Sequence, residues 1–327
     1  MVEIRPSRPE EAQAQKELWQ AAFGDDPRYI DWFYTCCWKP EDMLLLLEDG
    51  RLASMLALLP QTIILPDGGT ASAWYIYALA TDPGVRSKGY GRQLLHYVDG
   101  FLQQRGADCV TVVPAEASLF KFFSMVGFSP AFYTRKVELL RGMTTPAHPE
   151  DRVEPIGPEE YGEIREKALA GMPSVAYGQE LLRYQEGVGR LSGGGLYRVV
   201  ADGFRGCAAA EYLDEESVLF KELLLPPEYM PRGLAALADR MPGKRCFVRT
   251  PAQWDGMQGS YLQPFGMVKW YDREKGARWG EETQGYMGLG FAFLCQDSIL
   301  QLLHHPSFKA PGFAATCGSE YFRLSFV

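Results

Sequence analysis

Histidine is scarce and no two cysteines stand as C-x-x-C, so no ligand set with the spacing of a zinc site is present in the 327 residues. The seven cysteines fall at 36, 37, 109, 207, 246, 295 and 317, an odd and scattered set that argues against a disulfide framework and reads as buried, reduced thiols. Of the four histidines, His304 and His305 are neighbours and His148 lies in a proline-rich stretch, so no metal is expected. There is no uncharged apolar run of about 18 residues to span a bilayer. The opening "MVEIRPSRPEEAQ" lacks an apolar core behind its charges, which argues against a secretory signal and makes the cytoplasm the expected location. Positive charge is not in excess either: 33 basic against 41 acidic residues give a net charge of −8. That balance disfavours nucleic acid and anionic membranes as partners and is compatible with a cationic one.

The chain does hold enough apolar material for sizeable cores, with 46% hydrophobic and 13% aromatic residues. Its length exceeds a usual domain of about 100–200 residues, so two domains are expected. Periodicity over the first half predicts a strand at 2–6, helices at 8–22 and 27–37, and strands at 42–48, 51–60 and 72–81. A helix at 89–105, a strand at 108–113, a helix at 117–126 and a strand at 128–140 follow, an α/β (α+β) pattern. The run "GMTTPAHPEDRVEPIGP" carries four prolines and no apolar period, and reads as a linker. The expected division is a first domain at 1–142, a linker at 143–158, a second domain at 159–290 and an extension at 291–327. The second half echoes the first. "DGRLASMLALL" from Asp49 is matched by "DGFRGCAAAEYL" from Asp202, and the step from Pro114 to Gly127 by the step from Pro251 to Gly266. A diverged tandem duplication accounts for both.

The stretch "TDPGVRSKGYGRQLL" (81–95) concentrates chemistry. A strand rich in aromatic and aliphatic residues, "SAWYIYALAT", runs into a turn at Asp82-Pro83-Gly84. Arg86-Ser87-Lys88-Gly89-Tyr90-Gly91 then opens a helix whose Leu94, Leu95, Val98, Phe101 and Leu102 share one face. The first N–H groups of a helix have no intrahelical acceptors, and glycines let a bulky anion approach them. With Arg86, Lys88 and Arg92 alongside, the loop reads as a phosphate or pyrophosphate cradle. It is not a Walker A loop, because Gly89 is followed by Tyr90 and Gly91 rather than by Lys-Ser/Thr. Nor is it a dinucleotide fingerprint, because Leu94 stands where the third glycine belongs. Asp108, near the spacing of a ribose-binding acid, therefore carries no weight.

The pattern Arg86-x-x-Gly89-x-Gly91, with its preceding strand and "DP" turn, the "LL" helix, the strand at 108–113 and the helix ending in "VGF" (126–128), resembles the GNAT superfamily of N-acetyltransferases over about residues 40–140. The resemblance implies two tandem GNAT-like domains, each a mixed twisted sheet with flanking helices. It implies acetyl-CoA as co-substrate and a small-molecule amine as acceptor. Pyrophosphate contacts would come from Arg86, Ser87, Lys88, Gly89, Tyr90, Gly91 and Arg92, and the pantetheine arm would run beside Leu79, Ala80 and Thr81, where that family's strand splays from the next. The tandem arrangement, with "PAEASLFKFFSMVGFSPA" (114–131) and "FGDDPRYIDWFY" (23–34), is similar to the Eis-type acetyltransferases, but the residues after about 290 are too few for their third, sterol-carrier-like domain. In the second half, "FKELLLPPEYMPRGLAALADRM" has Pro226, Pro227 and Glu228 in place of the cradle and keeps only Gly233. That half is expected to be degenerate and to leave acyl-CoA to the first.

Direct attack of an amine on a thioester needs a neutral amine, an oxyanion partner and a departing thiolate. The family often supplies a general-acid tyrosine four residues before the "GF" glycine; Phe123 stands there instead. Tyr133, or Tyr75 and Tyr77, are substitutes, and each also suits a packed strand. Glu116 is the candidate base and equally suits a helix N-terminus. By analogy with Eis-type proteins, the carboxylate of Val327 is a third candidate. Two other readings stay open: a catalytically weak acyl-CoA-binding or sensing protein, which Phe123 suggests, and a structural protein that binds no cofactor. A closed homo-oligomer is compatible with the sequence but not encoded in it.

Overall fold

The computed structural model describes residues 1–255 and 257–282. The first half runs β1 (Val2–Pro6), α1 (Ala12–Phe23), α2 (Pro27–Cys36), β2 (Met43–Glu48), β3 (Arg51–Ile64), β4 (Thr70–Thr81), α3 (Tyr90–Gln104), β5 (Cys109–Val112), α4 (Ala117–Ser124) and β6 (Ser129–Leu140). These follow the expected elements within a few residues, save that β3 continues past Pro60 to Ile64. Pro60 is exposed and in register with Trp74, while the fully buried Ile63 beyond it keeps the strand on the sheet.

The second half comprises β7 (Arg152–Pro155), α5 (Pro158–Ala168), β8 (Ser174–Ala176), α6 (Gln179–Leu191), β9 (Gly195–Ala201), β10 (Phe204–Tyr212), β11 (Ser217–Leu224), α7 (Met230–Arg240), β12 (Arg245–Pro251), β13 (Tyr261–Trp270) and α8 (Arg273–Glu282). The stretch expected as linker at 143–158 thus contains a strand. β7 pairs antiparallel with β9 at the sheet edge, and Pro155 closes it, a position where a missing N–H costs little. The extension at 291–327, including Val327, Cys295, His304, His305 and Cys317, lies outside the described residues, as does the end of the expected second domain.

One thirteen-stranded sheet joins the described residues in the order β1-β2-β3-β4-β5-β13-β6-β12-β11-β10-β9-β7, with β8 pairing β3 to the side. The order reads alike from both ends. Each half contributes antiparallel strands and then a parallel pair, β4 with β5 and β11 with β12. Each then hands its last strand across: β13 lies against β5, and β6 against β12. β6 and β13 pair antiparallel at the centre, so neither half completes its sheet alone. The echoed hairpins are equivalent turns, Asp49-Gly50 at φ 49° and 77° and Asp202-Gly203 at φ 50° and 78°. Two successive positive φ values mark the type I′ turn that matches strand twist, which is why Asp-Gly recurs. The Pro-to-Gly echo is less complete. α4 fills the interval after Pro114, whereas turns follow Pro251 and Gly266 falls inside β13.

Helices cover both faces. α3 lays Leu94, Leu95, Val98 and Leu102 on Leu44, Leu46, Leu56, Leu58, Val110 and Val112. Phe101, expected on the same stripe, is only partly buried and has the Arg105 guanidinium 4.2 Å above its ring. On the opposite face α1, α2 and α6 pack Trp19, Ile30, Phe33, Tyr184 and Val188 against Leu45, Met55, Ala57, Tyr75 and Tyr77. Each such fully buried aliphatic side chain stabilises the fold by about 1.5–3 kcal/mol.

Candidate functional site

β4 and β5 part company within the sheet. Their parallel ladder runs from Ala73↔Cys109 to Ile76↔Val112 and stops, while β4 continues to Thr81 against β3 alone. At the parting point the β3–β4 register slips: Met55 faces Ala80 and Ala57 faces Tyr77, so Ala78 and Leu79 together oppose Leu56. This is a β-bulge, and Ala78 adopts φ 49°. An L-residue in that region costs roughly 1–2 kcal/mol, so the surroundings must hold it there. Of the residues expected along the pantetheine arm, Leu79 is partly buried beneath α3 and Ala80 is buried. The Ala80 carbonyl accepts the Ser54 hydroxyl at 2.7 Å, and Ser54 lies 3.0 Å from the Thr81 hydroxyl.

The glycine loop begins where β4 ends. Asp82 closes the turn by accepting the Gly84 N–H at 2.7 Å, while its own N–H donates to Ala53 at 2.9 Å. Ser87 and Gly89 both take left-handed backbone, φ 72° and 75°, and α3 starts at Tyr90. The Gln93 N–H makes the bond to the Gly89 carbonyl, so the N–H groups of Tyr90, Gly91 and Arg92 precede the first intrahelical donor. The two glycines serve different ends. Gly89 is required by its φ; Gly91 is not, since a Cβ there would meet nothing closer than the Thr81 hydroxyl at 3.7 Å. The protein leaves room beside Gly91 that its own packing does not use, which suits a bulky anion approaching the backbone.

Side chains around the loop are partly engaged. The Lys88 ammonium sits on both carboxylate oxygens of Glu48 at 2.8 and 2.9 Å, which raises the Lys88 pKa and lowers that of Glu48. Tyr90 is buried under the same ammonium, 5.7 Å from its ring. Arg92 is exposed on the first turn of α3, and Arg86 is half-buried beside it. Asp108 is structural: it accepts the Ser72 N–H at 2.7 Å and the Lys275 ammonium at 2.6 Å, tying the start of β4 to the segment after β13.

The acid–base candidates are dispersed. Glu116 is the N-cap residue of α4 and accepts the Ser118 hydroxyl. Phe123 is buried edge-on to Phe122 and Phe128. Tyr133 lies on β6 opposite Pro264 and packs on Ala252. Tyr75 and Tyr77 are buried against α1, α2 and α6. Among the described residues no group of three or more His, Cys, Asp or Glu could hold a metal ion, and no helix is long and apolar enough to cross a membrane. A surface cleft of ≈ 730 Å³ between α2 and α6, with Trp32, Arg183 and Glu186 on its walls, takes no residue from β4, β5 or the loop.

The second half repeats the parting of strands without the cradle. β11 and β12 pair from Ser217↔Arg245 to Phe220↔Val248 and then separate, and a register slip after Ala209 leaves Lys221 bulged. Lys221 forms a buried ion pair with Glu211 at 2.5 Å; beside it Glu222 is held by Arg165 at 3.1 Å and by the Tyr161 hydroxyl at 2.5 Å. Where the first half has open space, Gly233 is packed so closely that a Cβ would lie 2.2 Å from Leu225. Two features escaped the sequence reading: this ion-pair cluster, and a set of tyrosine hydroxyls behind β4. The sequence placed Tyr29 in a helix at 27–37 and Tyr77 on a strand, but nothing in it joined either to Tyr184.

Comparison with known proteins agrees with this geometry. Residues 3–131 match the family model described as an acetyltransferase (GNAT) domain. A search of curated proteins found no match. A probable N-acyltransferase from Enterococcus faecalis V583 superposes with a TM-score of 0.65 over 84% of this chain and 74% of that one, at 11% identity. Eis1 from Mycobacterium abscessus gives 0.62 over 83% and 74%, at 14% identity. A putative acetyltransferase from Pyrococcus horikoshii gives 0.55 over 89% and 95%, at 13% identity. At these identities the likeness speaks for the fold, and it extends through both halves.

Proposed function

Because residues 3–131 match the GNAT acetyltransferase domain model, we propose that the chain transfers an acetyl group from acetyl-CoA to the amine of a small molecule, of aminoglycoside or polyamine type, by direct attack in a ternary complex. The observation that carries this reading is the continuity of the parted strand with the glycine loop: β4, free of β5 over Leu79, Ala80 and Thr81, leads to the N–H groups that precede the first intrahelical donor of α3, with room left beside Gly91. The pyrophosphate would lie on the backbone of 86–91 with Arg86, Lys88 and Arg92 around it. Among the described residues the second half offers no such place, since Leu225 fills its counterpart. The amine forms the C–N bond as the C–S bond breaks, the amine proton leaves, and coenzyme A departs as thiolate. A backbone N–H in 79–81 would receive the developing oxyanion. Glu116 and Tyr133 are the residues proposed for the proton transfers, with general acid–base help worth about 10²- to 10⁴-fold. A pH–rate profile that loses its acidic limb in Glu116→Gln assigns the base; an unchanged profile leaves that carboxylate its bond from the Ser118 hydroxyl at the start of α4.

Phe123 favours a second reading, an acyl-CoA-binding protein with weak turnover, because a buried hydrocarbon ring stands where the family's acid is found. Calorimetry with acetyl-CoA, followed by thiol release against a panel of polyamines and aminoglycosides, separates the two. Binding with turnover supports the transferase, binding alone supports the second reading, and no binding rejects both.

A further inference from the structure

Three tyrosine hydroxyls meet behind the bulged strand. Tyr77 of β4 shares a hydrogen bond with Tyr29 of α2 and another, 3.0 Å long, with Tyr184 of α6. Trp19 and Phe33 close round the Tyr77 ring, with centroids at 5.5 and 5.4 Å, and Tyr77 and Tyr184 are both buried. Burial pushes all three phenols up, so they stay neutral and able to donate as well as accept.

The placement of this cluster gives it a role beyond packing. Tyr77 is the residue immediately before Ala78, the one held at φ 49°. A strand that loses its bulge regains regular pairing, and the slip of one residue turns every following side chain to the other face. In β4 those residues are Leu79, Ala80 and Thr81, the lining of the proposed acyl slot. Something must therefore pin β4 at the step before the bulge, and the Tyr77 ring, tied at its hydroxyl to two helices, does so. One of those helices is α6, which belongs to the half that has no cradle of its own. α2 and α6 are themselves in close contact: the Trp32 indole N–H donates to the Tyr184 carbonyl at 3.1 Å, and a Cβ on Gly187 would lie 2.0 Å from that indole.

We infer that Tyr184 is a positioning residue for acyl transfer: through Tyr77 it holds the Ala78 bulge and so aims the backbone N–H groups of 79–81 at the thioester carbonyl. This rests on the proposed acetyl-CoA reading. The degenerate half thus takes part in the chemistry by fixing the strand on which the other half works, which gives the strand exchange at the sheet centre a functional counterpart at its flank.

The test uses the full chain with acetyl-CoA labelled with ¹³C at the carbonyl. A hydrogen bond from the protein lowers the carbonyl stretching frequency of the bound thioester, so wild type shows a band displaced from the free value. In Tyr184→Phe the band returns toward the free value while the Kd for acetyl-CoA stays within about twofold. Thiol release with any amine found to be acetylated falls about tenfold in kcat with the KM for acetyl-CoA unmoved. Tyr161→Phe, which removes a buried hydroxyl of the same half away from β4, leaves the band in place. If Tyr184→Phe does not fold, Tyr77→Phe removes the same hydrogen bond from its other end. A band identical to wild type in the folded variant, or an equal return toward the free value in Tyr161→Phe, overturns the inference. Absence of any binding by wild type instead rejects the acetyl-CoA reading, and the inference with it.

Discussion

The two partings of strands in this sheet differ in what fills them. In both, a parallel pair ends after four residues and a bulge follows, at Ala78–Leu79 in one and at Lys221 in the other. Past the first bulge the chain enters a loop whose Gly91 leaves space; past the second it meets Pro226 and Pro227, and Gly233 is closed over by Leu225. Behind the first bulge stand neutral hydroxyls, and behind the second stand buried ion pairs. The bulge is thus common to both halves, while the space after it depends on a few residues that follow. The parting with space beside Gly91 is backed by groups that demand no counter-charge, whereas the closed one is backed by charges locked to each other.

That contrast can be broken in a graded way. Glu222→Gln leaves the buried Arg165 without its counter-ion and should destabilise the fold by about 3–5 kcal/mol, against about 1–2 kcal/mol for Tyr77→Phe in the first half; urea unfolding measures both. Gly91→Leu and Gly233→Leu should fail in opposite ways. The first keeps the fold and raises the acetyl-CoA Kd at least about 100-fold, about 2.7 kcal/mol, in calorimetry. The second overpacks Leu225 and costs about 1–3 kcal/mol of stability, leaving the Kd of the folded fraction unchanged. The phenols give a pH signature. Tyr29, Tyr77 and Tyr184 all have raised pKa values in the fold, so above about pH 10 the unfolded chain sheds protons that the folded one keeps. Stability should therefore fall as pH rises through that range, by up to about 1.4 kcal/mol per unit for each phenol, and Tyr184→Phe should flatten the slope. The smallest effect belongs to Lys88→Met. Because that ammonium is exposed and already shared with Glu48, acetyl-CoA binding should weaken by no more than about threefold and lose part of its salt dependence.

Much of the first half was legible because local rules agree there. The leucine stripe of α3, the Asp-Gly turns and the Arg86-x-x-Gly89-x-Gly91 loop each carry their conformation in a few neighbouring residues. β7 was hidden because an edge strand tolerates the prolines that signal a linker. The likeness of the two halves was visible in their Asp-Gly hairpins, but the exchange of β6 and β13 was not, since pairing between residues more than a hundred positions apart leaves no local period.

The sequence by itself determined most secondary elements of the first half and the glycine loop that opens α3, which rest on backbone geometry and short-range spacing. The tertiary structure alone decided that the halves share one sheet, that β4 breaks from β5 at a strained Ala78, and that Tyr184 comes to lie 3.0 Å from Tyr77. Those outcomes depend on which distant side chains share a buried space, and hydrophobic pattern specifies that a face is buried without specifying against what.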